Sequence, residues 1–113
     1  RNLMIVRNNE LEIIEGDKVS VGGLIIKKKL EKKFKQYELN IEDATCFMGT
    51  DGLWDQFGES TGLKLNFKKF RSLLLANSNL DLPSQQEIIK KELEEWQGKT
   101  PQTDDMMLLG FRI

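Results

Sequence analysis

Two acidic motifs hold the chemistry that this chain's residue types permit. Met48-Gly49-Thr50-Asp51-Gly52 closes a short, uncharged run, Ala44 to Gly49, so one carboxylate, Asp51, stands where an apolar strand gives way to a glycine turn. Asp104-Asp105 opens the last apolar run, Met106 to Ile113. One carboxylate follows a strand and a pair precedes another, and in antiparallel neighbours those two ends meet. Histidine is absent, which removes Ser-His and Cys-His nucleophilic pairs and every histidine-bearing metal site from this chain. Carboxylate remains. It suits hard cations such as magnesium, manganese or calcium, which acidify bound water and make a nucleophile near neutral pH.

Each motif also has a plainer reading. Asp-Gly is a common turn pair, and Asp51 could equally cap a helix after the strand. Asp104-Asp105 could be a solvated lead into a strand, with one side chain satisfying loop amides. Against this, two adjacent carboxylates before a buried strand repel each other and resist desolvation, and a cation nearby would relieve both costs.

The elements that must position these residues follow from the pattern. A chain of 113 residues with 39% hydrophobic and 31% charged side chains reads as one domain, residues 1–113, with a modest core. It opens on Arg1 rather than methionine, which points to a piece of a longer protein. No apolar run approaches the ~20 residues of a membrane helix. The lone Cys46 excludes an internal disulfide and points to a reducing, cytoplasmic setting.

Leu3 to Val6 and Leu11 to Ile14 flank Arg7-Asn8-Asn9-Glu10, and asparagine tolerates the positive φ of a tight turn, so the chain begins with an antiparallel hairpin. Val19 to Gly23 is a turn leading to Leu24-Ile25-Ile26. Lys27 to Lys35 contains six lysines, but the net charge is only −1 and just Phe34 and Tyr37 are near to stack bases. That argues against nucleic acid and leaves a solvated loop, or a patch for an acidic or phosphorylated partner.

Phe34 to Ile41 alternates as a half-exposed strand, and Ala44 to Gly49 is a strand. Asn66 is a helix N-cap, followed by an amphipathic helix on which Phe67, Phe70, Leu73, Leu74 and Asn77 share a face. Ser84 with Glu87 forms a capping box for a second helix that buries Ile88, Ile89, Leu93 and Trp96 and stops at Gly98. Met106 to Ile113 is long enough for a buried final strand. Strands, then two helices, then a strand make an α+β fold with helices packed on an antiparallel sheet.

Taken together, Met48-Gly49-Thr50-Asp51-Gly52-Leu53-Trp54-Asp55 and, about fifty residues later, Gln102-Thr103-Asp104-Asp105-Met106-Met107-Leu108-Leu109 closely resemble the carboxyl-terminal half of the metal-dependent serine/threonine protein phosphatases. The resemblance is to the protein phosphatase 2C-like family and, within it, to the bacterial sporulation and stress-response branch. It extends over nearly all of the chain, through the opening hairpin, Gly16-Asp17, Gly22-Gly23 and the helix ending Leu93-Glu94-Glu95-Trp96.

The resemblance implies a four-layer αββα sandwich, two stacked antiparallel sheets flanked by helices, of which this chain is roughly the second half. It implies that Asp51 and Asp104 ligate a binuclear Mn2+ or Mg2+ centre that activates water for attack on phosphoserine or phosphothreonine. Gly52, Asp105 and Asp55 would support them: Gly52 in the turn, Asp105 behind the ligand, Asp55 bracing the turn, capping the short helix near Leu53, or lying on the surface as a plain acid. Trp54 and Trp96 read as core. The implied partners are a phosphorylated regulatory protein of the anti-sigma antagonist type and an upstream sensory or receiver domain, with no nucleic acid and no direct membrane contact.

There are departures from the family pattern. The metal-bridging Asp-Gly of a Gly-Asp-Gly-type signature has no counterpart, since neither Gly16-Asp17 nor Asp43 has its context. Glu42-Asp43 stands where Gly-Asp is common, and Gly49 where a larger residue is usual. The first departure keeps a second function class open, a non-catalytic regulatory or interaction module on the same scaffold.

Overall fold

The hairpin forms where the asparagines predict it. In the computed structural model, which describes residues 1–18 and 33–113, β1 (Leu3–Arg7) pairs antiparallel with β2 (Glu10–Ile14). Asn8 and Asn9 both take positive φ, 51° and 60°, as a two-residue turn twisted with the strands requires. On its other side β1 pairs antiparallel with β3 (Thr45–Gly49), and β3 with β4 (Leu108–Phe111). The sheet order is β2-β1-β3-β4. Between β3 and β4 come α1 (Gly52–Asp55), α2 (Phe67–Ala76) and α3 (Leu82–Gln97).

Alternation along the strands gives the sheet two apolar faces. Met4, Val6, Leu11 and Phe47 face the helical layer and pack with Leu53, Leu65, Phe70, Leu74 and Ile89 in one buried core. Phe70 and Leu74 are fully buried; they lie four residues apart, one turn along the same stripe of α2. The opposite face holds a smaller cluster of Ile5, Ala44 and Cys46, edged by Leu3, Ile14, Ile41 and Phe111. Burial pushes the Cys46 thiol above its ordinary pKa, against a smaller opposing pull from the Arg7 charge. Among the described residues no helix is long and apolar enough to cross a membrane.

Three expectations need correction. Phe34 to Ile41 forms no strand. Alternation makes a strand only where the segment pairs with a neighbour, and this one joins no ladder; the Arg7 guanidinium instead donates to the carbonyls of Asn40 (2.9 Å) and Glu42 (3.4 Å). The last strand is shorter than Met106 to Ile113 and lies at the sheet edge, with Leu109 54% exposed. The cap of α3 is Asp81, not Ser84: the Asp81 carboxylate accepts the Ser84 amide at 2.7 Å, and the helix starts at Leu82 with Pro83 in its first turn. Asp81 and Ser84 stand in the N-cap to N3 relation, so Ser84 is the cap's donor. Gln85, rather than Ile88, joins Ile89 as the deeply buried pair of α3, with Ile88, Leu93 and Trp96 partly buried. Val19 to Gly23, Leu24 to Ile26 and the lysines from Lys27 to Lys32 lie outside the described residues.

Phe70→Ala should destabilise the fold by about 3–5 kcal/mol, read from urea unfolding; a loss below about 1 kcal/mol would show that the core lies elsewhere. Hydrogen bonds from the Ser84 hydroxyl and amide hold the Asp81 carboxyl below its ordinary pKa. Its contribution is therefore complete above the usual carboxylate range and disappears as pH falls through the lowered folded-state value. Asp81→Ala should lower the melting temperature more than Ser84→Ala at neutral pH, and the gap between Asp81→Ala and the unaltered chain should close in strong acid.

Candidate metal centre

The antiparallel β3–β4 ladder brings the two acidic motifs to one end of the sheet. Gly49, the last residue of β3, pairs with Leu108, the first of β4. Beyond that pair the two chains remain joined through Thr50. Its amide donates to the Met107 carbonyl (3.0 Å), its hydroxyl donates to the Asp105 carbonyl (2.7 Å), and the same oxygen accepts the Met107 amide (2.9 Å). Gly52 closes the contact, because a Cβ there would collide with the Asp105 carbonyl oxygen and come within 3.0 Å of its carbon. The Asp51 turn and the Asp104-Asp105 segment therefore touch backbone to backbone.

Asp51 sits at the cap position of α1 yet makes no side-chain cap. Its carbonyl accepts the amides of Trp54 (3.1 Å) and Asp55 (2.9 Å), which completes the short helix and leaves the carboxylate free. The one polar partner of that carboxylate among the described residues is Arg1, with Nη1 3.6 Å from Oδ1. The Asp104 side chain accepts its neighbour's amide, Asp105 N, at 2.7 Å through Oδ1, and Gln102 Nε2 donates to the Asp104 carbonyl at 2.8 Å. These bonds orient Asp104 and leave Oδ2 without a hydrogen bond among the described residues. Both carboxylates are exposed.

The supporting residues divide. Gly52 is at the contact, and Asp105 contributes its main-chain carbonyl to Thr50. Asp55 ends α1 and pairs with Lys64 at 3.5 Å rather than with Asp51 or Asp104. Trp54 packs edge-on against Phe67 and tilted against Phe70. Two positioning residues are not evident from the acidic motifs. Thr50 has a signal, its place directly before Asp51. Gln56 has none: it is 1% exposed, and its Nε2 donates to Pro101 O at 3.1 Å, tying the start of the Asp104 segment to the loop after α1. Trp96 then donates its indole N–H to the Gln56 carbonyl at 3.1 Å, fixing that loop to α3.

Two exposed carboxylates, each with an oxygen free of protein hydrogen bonds, fit a hard divalent ion of the magnesium type, which binds through one or two carboxylates and keeps several waters. Among the described residues no group of three or more acidic, cysteine or histidine side chains gathers to hold a metal ion. A cleft of about 700 Å³ opens beside Asp51, lined also by Arg1, Asp17, Lys18, Trp54 and Phe67.

The fold has a solved counterpart. The PP2C domain of SiaA from Pseudomonas aeruginosa superposes with a TM-score of 0.83 at 26% sequence identity, over 99% of this chain and 43% of that one. The chain has a PP2C-like fold. It spans less than half the length of that PP2C domain structure. No family model matches the chain, and no curated protein matches it.

Thr50→Val should cost about 1–2 kcal/mol in urea unfolding, since two hydrogen bonds across the motif contact are lost. Gly52→Ala should cost about 1–3 kcal/mol, because the atom it meets is backbone and cannot swing away. Wild-type stability in both would show that the two motifs are not clamped together.

Proposed function

We propose that this chain is the carboxyl-terminal part of the catalytic domain of a metal-dependent serine/threonine phosphatase, acting within a longer protein. The observation that carries the reading is the clamped pair Asp51 and Asp104, which couples uncapped, exposed carboxylates to a PP2C-like fold. The row Leu3, Met48 and Leu109 supports the longer domain: it lies across three strands on the sheet face away from the helices, with Met48 38% and Leu109 54% exposed, as a stacking second sheet would require.

In this reading Asp51 and Asp104 hold Mn2+ or Mg2+, completed by ligands from the rest of the protein. The ions supply Lewis acidity, toward water as nucleophile and toward the phosphoryl oxygens. The chain's own residues do the positioning. Thr50 and Gly52 set the separation of the two carboxylates, and the Asp105 amide orients Asp104. The substrate is a phosphoserine or phosphothreonine in a regulatory protein, of the anti-sigma antagonist type in the bacterial branch, under an upstream sensory or receiver domain in the cytoplasm.

A second reading has one observation in its favour. The described residues contain only two candidate ligands and no cluster of three, as a regulatory module that kept the scaffold without the site would. A metal-bridging Asp-Gly motif in the preceding residues of the full-length protein supports the enzyme; its absence supports the module.

In the full-length protein Asp51→Asn and Asp104→Asn should each abolish manganese-dependent hydrolysis of a phosphoserine peptide, beyond the ~10–100-fold typical of supporting residues, with the circular dichroism spectrum unchanged. Residues 1–113 alone should bind manganese weakly and hydrolyse nothing. Full activity in either variant, or turnover by the isolated piece, would refute the assignment.

A further inference from the structure

Arg1 is the basic group built into the candidate centre. Of the two cations lining the cleft beside Asp51, Arg1 and Lys18, only Arg1 stands within ion-pair range of Asp51 among the described residues. Its main chain is fixed at that place. Gly16 leaves room for it, since a Cβ there would collide with the Arg1 carbonyl oxygen. The adjacent Asn2 side chain accepts the Gly16 amide at 3.1 Å. The guanidinium itself is held loosely. Its contact with Asp51 is a single long one of 3.6 Å between side chains that are 60% and 52% exposed, and surface pairs of this kind are weak and readily exchanged.

A cation anchored through its backbone, yet only lightly engaged by a carboxylate, suits a role that begins when that carboxylate takes another partner. An Asp51 carboxylate occupied by a divalent ion no longer needs Arg1. The guanidinium then stands at the rim of the centre with its planar fork of donors unspent, and that fork matches two oxygens of a phosphate. The cleft it borders also presents the apolar sides of Trp54, Phe67 and Ile13, against which the remainder of a phosphorylated side chain or peptide can lie.

We infer that Arg1 is a substrate-binding residue that grips the phosphoryl group of a phosphate monoester beside the Asp51–Asp104 centre. This rests on the metal-site reading above and adds to it the group that recognises the substrate's charge. Lysine supplies the charge without the fork, so Arg1→Lys should restore part of what Arg1→Ala removes.

The test uses the full-length protein and two separate readouts, manganese binding by calorimetry and binding of inorganic phosphate to the manganese-loaded protein. Arg1→Ala should leave manganese affinity unchanged or tighter, because a competitor for Asp51 is gone. It should weaken phosphate about tenfold or more, with Arg1→Lys between, and raise KM for a phosphoserine peptide more than it lowers kcat. A merely structural Arg1 would instead lower the melting temperature and leave the phosphate affinity of the folded protein alone. Manganese bound normally with phosphate affinity unchanged in Arg1→Ala would overturn this inference while leaving the metal site standing. Failure of the unaltered protein to bind manganese would overturn the metal site and this inference with it.

Discussion

The contact between two backbones, at Gly52 and Asp105, is the constraint on which the site depends. Carboxylates repel, and two loops carrying them separate unless neutral forces hold them. Here the holding is done by main-chain and hydroxyl hydrogen bonds through Thr50, and by the absence of a side chain at Gly52. None of these contacts uses the Asp51 carboxylate, and only one oxygen of Asp104 is drawn in. Fixing the loops with neutral groups leaves the charges available to a cation, whose attraction need not also assemble the site.

The larger fold extends the same logic outward. The β3–β4 register sets where the two motifs emerge, and the core beneath β1 and β3 sets the register by burying Met4, Val6 and Phe47 against Phe70, Leu74 and Ile89. A slip of one residue would turn these to the opposite face. Gln56 and Trp96 then carry the position of α3 to the segment before Asp104. Arg112 does the corresponding work at the far end of the sheet, where it donates to Thr45 Oγ1 (2.8 Å) and the Leu80 carbonyl (2.9 Å), tying β4 to the turn between α2 and α3. The candidate site lies at the rim of the core, where both carboxylates stay exposed to water.

What could be read from the sequence was local and periodic. The asparagine turn, the Asn66 cap, the stripe of Phe70 and Leu74, the stop at Gly98 and the α+β order of elements each arise from neighbouring residues. The fold class follows from them, and the structure has it. What failed was non-local. Phe34 to Ile41 has the alternation of a strand but pairs with no neighbour, and pairing is not written in the segment's own residues. Met106 to Ile113 looks like a buried strand by hydropathy, yet its half-exposed edge depends on what lies beside it. Asp81 displaced Ser84 as cap because both residue types suit the position, and the bond that decides between them is three-dimensional. The approach of the Thr50-Asp51-Gly52 turn to the Asp104-Asp105 segment was legible as an ordered motif pair, whereas the role of Gln56 was not, since a buried amide bridging two loops leaves no pattern.

The central claim is that Asp51 and Asp104 hold one divalent centre. Anomalous diffraction at the manganese edge, from crystals of the full-length protein grown with manganese, tests it most directly. The account predicts anomalous peaks at the β3–β4 end of the sheet, within bonding distance of both carboxylates. Peaks bonded to other residues, or none at this end of the sheet, would contradict it.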